Sequence, residues 1–100
     1  MDLDQKRIVL TGAASGIGLA LLNLLAERPV QVLIADINRE GLETACKGLT
    51  GKPARITPFA CDLSSRETLD RLFEHALSAL GGIDIFIANA GFPYYERIEQ

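Results

Sequence analysis

Thr11-Gly12-Ala13-Ala14-Ser15-Gly16-Ile17-Gly18 decides how this chain is read, because the apolar spacing changes character across it. Ahead of it, Ile8, Val9 and Leu10 form a short apolar run that ends in the glycines. Behind it, Ile17, Leu21, Leu24 and Leu25 recur at i, i+4, i+7 and i+8, the spacing of one helix face. Pro29 ends that helix, since it lacks an N–H and disfavours helical geometry in the residue before it. A strand therefore passes into a helix through a glycine-rich loop.

Working outward, the same alternation repeats. Residues 30–35 are rich in β-branched side chains and broken only by Gln31, which suits a strand buried on both faces of a parallel sheet. Asn38 can cap a helix whose stripe is Leu42, Ala45, Cys46 and Leu49, ending near Gly48 and Gly51. Residues 55–61 read as a third strand. Ser64-Ser65-Arg66-Glu67 matches a capping box with Ser64 as the cap, opening a helix along Leu69, Leu72, Phe73, Ala76, Leu77 and Leu80. Gly81 and Gly82 close it, residues 83–88 form a fourth buried strand, and residues 92–100 read as a turn into another helix.

The order β-α-β-α-β-α-β with short connections predicts an α/β fold with right-handed crossovers. Pro58 lies inside the third strand and removes a ladder donor, so that strand belongs at an edge. The strand order 3-2-1-4 satisfies this. It is the first part of a Rossmann-like doubly wound parallel sheet, lacking the later strands of the full fold. With one hundred residues, the chain is a single, partial domain spanning 1–100.

Composition excludes several classes of function. Lys and Arg number 10 against 13 Asp and Glu, a net charge of −3, so no basic surplus is present for a nucleic acid. Hydrophobic residues at 48% and charged residues at 23% mark a globular chain rather than a disordered one. Cys46, Cys61 and His75 make a poor metal set, and the thiols read as reduced ones in a cytoplasmic protein. The start MDLDQKR does not resemble a signal peptide, and no apolar stretch approaches the roughly 20 residues that cross a bilayer.

The glycine loop has the parts that a dinucleotide diphosphate requires: a tight turn, an approach clear of Cβ atoms, and the N–H groups of a helix start. Gly12 supplies the turn, Gly16 the approach, and Gly18 lets the helix pack closely on the sheet. Ser15 adds a hydroxyl donor. No Gly-Lys-Ser/Thr follows, which excludes a phosphate-transferring P-loop. Asp36 closes the second strand, where a carboxylate can accept both hydroxyls of an adenosine ribose and repel a 2′-phosphate. That points to NAD over NADP, although Arg39 follows three residues later. Capping of the second helix, in competition with Asn38, is the other role open to Asp36.

TGAASGIG at 11–18, Asp36, CDLS at 61–64 and ANAG at 88–91 together resemble the short-chain dehydrogenase/reductase family. The resemblance covers essentially the whole chain, but only the amino-terminal part of a family member. It implies that Gly12, Ser15, Gly16, Ile17 and Gly18 line the diphosphate. Asp36 would select the ribose, with Ile37 beside the adenine. Asp62 would bond the adenine amino group and Leu63 touch its ring. Asn89, Ala90 and Gly91 would run beside the cofactor, with Asn89 bracing the central strands. Ala88 stands where the family pattern usually begins with Asn.

The family's catalytic Tyr-x-x-x-Lys is absent. Tyr94 is followed four later by Ile98, Tyr95 by Glu99, and lysines occur only at 6, 47 and 52. The resemblance thus implies the NAD-binding portion of an oxidoreductase that moves hydride between NAD(H) and an alcohol or carbonyl compound in a longer chain. A non-catalytic dinucleotide-sensing module is the alternative. The outer edge of strand 83–88 is apolar apart from Asp84, so the chain by itself is expected to self-associate there.

Overall fold

The computed structural model describes residues 2–89. Expectations for Ala90, Gly91 and the segment 92–100 lie outside them. Strands and helices alternate as β1 (Arg7–Thr11), α1 (Gly16–Leu25), β2 (Gln31–Asp36), α2 (Arg39–Gly48), β3 (Arg55–Ala60), α3 (Arg66–Leu80) and β4 (Ile85–Ala88). The sheet has the order β3-β2-β1-β4 with every pairing parallel, so the Rossmann-like topology expected from the spacing holds. Pro58 sits opposite Ile34 on the outermost strand, where its missing N–H leaves no gap between strands.

The absence of polar alternation in β1 and β2 has a direct cause. Ile8, Leu10, Val32 and Ile34 point to one face and pack with Leu22, Leu25, Leu42 and Ala45 of α1 and α2. Val9, Leu33 and Ala35 point to the other face, against Leu72, Ala76 and Leu80 of α3. Both faces are dry, so every residue of the two central strands must be apolar or internally satisfied. The half-buried β4 has no strand on its outer side among the described residues.

Local details depart from the spacing in two places. Ile17 and Leu24 do not face the core; they are 78% and 71% exposed, and the buried face of α1 is Gly18, Leu22 and Leu25. The helix GIGLALLNLL is apolar nearly all round, so two stripes of the same period compete. The close contact at Gly18 chooses between them. In α3 the cap is Ser65, not Ser64: its Oγ accepts from Thr68 N at 3.2 Å and pairs with Thr68 Oγ1 at 2.9 Å. Glu67 does not reach back but pairs with Arg71 at 2.7 Å, one turn on.

Two contacts finish the frame. His75 is exposed on α3 with its ring stacked on Phe59 of β3, centroids 4.5 Å apart. At the start of β1, Arg7 grips Asp84 just ahead of β4. Its Nε and Nη2 donate to the two carboxylate oxygens at 3.0 and 3.1 Å, and its backbone N–H donates to Oδ2 at 2.8 Å.

Candidate functional site

The four parallel strands end together at Thr11, Asp36, Ala60 and Ala88. The chain crosses from β1 to β2 over one face and returns to β4 by way of α3 on the other. A crevice opens outside such strand ends where the winding reverses, here beyond β1. The glycine loop, Asp36, the 61–64 segment and Asn89 all meet at this pole.

The loop's own hydrogen bonds separate the amides that the fold consumes from those it leaves. Gly12 N and Ala13 N donate to Ala35 O at 2.8 and 3.4 Å, and Ala14 N donates to Asp36 Oδ2 at 3.1 Å. Leu19 N, bonded to Ser15 O at 3.2 Å, closes the first turn of α1. The N–H groups ahead of it have no acceptor within the helix, and the Ser15 side chain, at the N-cap, does not cap them. The helices α2 and α3 differ: Asn38 and Ser65 cap them, and Glu40 and Glu67 lie in their first turns, where α1 carries no acid. Among the described residues, no acid stands in the first turn of α1 and its N-cap side chain leaves the positive end of the helix open to a ligand.

Glycine geometry keeps that end reachable. Gly12 and Gly16 take φ of 67° and 58°, a left-handed conformation that other residues rarely adopt. Among the described residues, no heavy atom beyond its chain neighbours and its own helix backbone lies within 4 Å of where a Cβ on Gly16 would stand. Gly18 is the opposite case: its Cβ would fall 1.8 Å from Gly12 O and 2.8 Å from Asn89 Nδ2. Its close neighbours are thus the carbonyl just past β1 and the side chain just past β4. Asn89 ties β4 to the loop through N to Thr11 Oγ1 at 3.1 Å and Nδ2 to Gly12 O at 3.2 Å. A diphosphate suits this cradle: an open side at Gly16, an uncapped helix start, and a rigidly held turn.

Asp36 does not cap α2; Asn38 does, its Oδ1 accepting from Gly41 N at 3.0 Å. The Asp36 carboxylate instead accepts Ala14 N on Oδ2 and Asn38 N on Oδ1, the latter at 2.9 Å. Each oxygen keeps a further lone pair for a hydroxyl donor. Ile37 beside it is 70% exposed, while Leu63 is buried in the α3-side core. Asp62 is exposed and turns the chain by accepting Ser64 N at 3.0 Å. Burial, with the Asp62 and Asp36 charges adding, pushes the Cys61 thiol up to about 11, so it stays protonated near neutrality.

Ala14 and Thr11 were not singled out in the sequence, yet one donates to Asp36 and the other holds Asn89. A hydroxyl residue ending an otherwise apolar, fully buried strand was the available signal for Thr11. Among the described residues no group of three His, Cys, Asp or Glu side chains could hold a metal, and no helix is long and apolar enough to cross a membrane.

Known proteins resemble this chain in sequence and fold. The chain is 40% identical over 91 residues to 1-deoxy-11-beta-hydroxypentalenate dehydrogenase of Streptomyces exfoliatus, covering 91% of this chain and 33% of that one. It is 34% identical to a 3-oxoacyl-acyl-carrier-protein reductase of Thermotoga maritima, covering 91% of this chain and 37% of the relative. Among solved structures, NAD+-bound xylitol dehydrogenase superposes with a TM-score of 0.83 at 32% identity, over 92% of this chain and 35% of the other. L-sorbose reductase from Gluconobacter frateurii, solved with NADPH and L-sorbose, gives 0.82 at 31% identity, over 89% and 34%. The chain thus spans about a third of the length of the relatives it matches. The family model of the short chain dehydrogenases matches residues 6–100, and together with the crossover, the glycine turn and the carboxylate at the end of β2 it establishes that this chain belongs to that family.

Proposed function

We propose that residues 1–100 form the NAD-binding portion of a short-chain dehydrogenase acting on an alcohol or carbonyl compound. The observation that carries this reading is the uncapped start of α1 behind the left-handed Gly12 and Gly16, open on the Gly16 side. Gly12, Ser15, Gly16, Ile17 and Gly18 would receive the diphosphate, with the exposed Ile17 laid along it. Asp36 would accept the ribose hydroxyls, and Asn89 would border the nicotinamide side. Ile37 and Asp62 would flank the adenine, with Leu63 offering its backbone there, since its side chain is buried. The nicotinamide, when bound, would supply hydride transfer; the residues here would bind and orient it, and none of them forms a Tyr-x-x-x-Lys pair. Half-buried thiols at Cys46 and Cys61 support a reducing, cytoplasmic setting.

NAD is favoured over NADP because a 2′-phosphate would face the Asp36 carboxylate, which two backbone donors hold in place. Calorimetric titration tests this. Asp36→Ala is expected to weaken NAD by about tenfold, the loss of charge-assisted bonds to a ligand, while NADP binding changes little or improves. Equal losses for the two cofactors would remove Asp36 from the selecting role.

A further inference from the structure

Gly41 stands at the third position of α2, inside its first turn. Glycine is a poor helix residue, and Gly41 is not among the glycines with positive φ, so backbone freedom does not account for it. Space does. A Cβ at this position would lie 2.7 Å from Asn38 Nδ2 and 2.9 Å from Ala14 Cβ. The first turn of α2 therefore rests directly on the glycine loop. The residue it touches, Ala14, is the one whose N–H is held by Asp36 Oδ2 at 3.1 Å. Asn38 joins the same knot, donating its N–H to Asp36 Oδ1 at 2.9 Å while its side chain caps Gly41 N at 3.0 Å. Carboxylate, loop and helix cap form a closed ring, and the missing Cβ at 41 is what lets it close.

Resting on the NAD reading above, we propose that Gly41 is a positioning residue for the Asp36 carboxylate, acting through Ala14 and Asn38 without itself meeting the cofactor. A side chain at 41 forces Ala14 and Asn38 outward. Asp36 then loses backbone donors that fix its rotamer, and the ribose meets a carboxylate that can swing. Affinity for the adenosine half falls even though no ligand contact has been removed.

Titration of the protein with NAD tests this in a mutant cycle. Gly41→Ala is expected to weaken NAD by about fivefold to tenfold in the wild-type background and by less than about twofold in an Asp36→Ala background, the coupling expected of residues in one network. The melting temperature is expected to fall by only a few degrees, because the better helix propensity of alanine offsets part of the cost of the crowding. Unchanged affinity in Gly41→Ala, or an equal loss with and without Asp36, would overturn the proposal. Wild-type protein that binds no NAD would instead overturn the NAD reading itself. An Asp36→Ala protein that binds NAD as tightly as wild type would overturn the proposal by removing Asp36 from the ribose contact. Should Gly41→Ala fail to fold, Ala14→Gly/Gly41→Ala is compared with Ala14→Gly. Removing the Ala14 methyl relieves the contact at 2.9 Å, and the Asn38 amide is a side-chain end that can turn while the Asn38 N–H stays on Asp36. Affinities within about twofold therefore support the mechanism and a loss of about tenfold overturns it.

Discussion

At Gly18 a hydrogen occupies a place that any larger group would have to share with a backbone oxygen. The Cβ of alanine would stand 1.8 Å from Gly12 O, and a carbonyl in a tight turn cannot swing away as a side-chain end can. Gly18→Ala is therefore expected to lose about 1–3 kcal/mol of stability, the usual cost of overpacking, and to weaken NAD by about tenfold or more as the turn is displaced. Thermal unfolding and calorimetry check the two effects separately. The position of Gly18 was legible in the spacing of the loop; its partner was not, because the sequence does not show that the helix folds back over the carbonyl of residue 12. Asp36 is similar. A carboxylate at the end of a strand was readable, but its bond to Ala14 N links residues 22 apart and depends on two strands already lying side by side.

Among the elements, α3 shows how local signals compete. Two serines precede it and either could cap. The extended conformation of Ser65 (φ −126°, ψ 154°) places its hydroxyl over Thr68 N, while Ser64 is already turned by Asp62. Ser65→Ala is expected to cost about 1 kcal/mol, and Ser64→Ala to stay within about 0.5 kcal/mol, in urea unfolding. A larger cost for Ser64→Ala would return the cap to Ser64. The helix α1 was legible as a helix but not in its rotation, because ten residues that are apolar nearly all round offer no polar face to exclude. By contrast α2, with Arg39, Glu40, Glu43 and Lys47 on its wet side, declared its buried stripe of Leu42 and Ala45 plainly.

On the scale of the whole molecule, the alternating pattern and one proline were enough to order the sheet. Parallel strands with dry faces must be continuous apolar runs, and a proline in such a run tolerates only an edge. The ion pair that ties β1 to β4 could not be read, since Arg7 and Asp84 are separated by nearly the full described chain. That pair has a pH signature. The Arg7 side chain, then its backbone N–H, hold the Asp84 carboxyl at about 2, below its ordinary 3.8. A depressed folded value means the tie contributes fully above about pH 4 and is lost as the pH falls toward 2. Asp84→Asn is expected to lower the melting temperature near neutrality and to flatten its decline over that acid range. The difference shrinks in high salt, because both side chains are about one-third exposed (37% and 30%). Parallel acid limbs for the two proteins would exclude the tie as a contributor.

The Arg7–Asp84 clasp and the glycine turn occupy opposite ends of the same five-residue strand. At about 3.3 Å per residue they are separated by roughly 13 Å, far enough for changes at one end to add to those at the other without interference. Acid tolerance and ligand affinity are therefore independent handles on this protein, and an engineer could turn either one while leaving the other where it was.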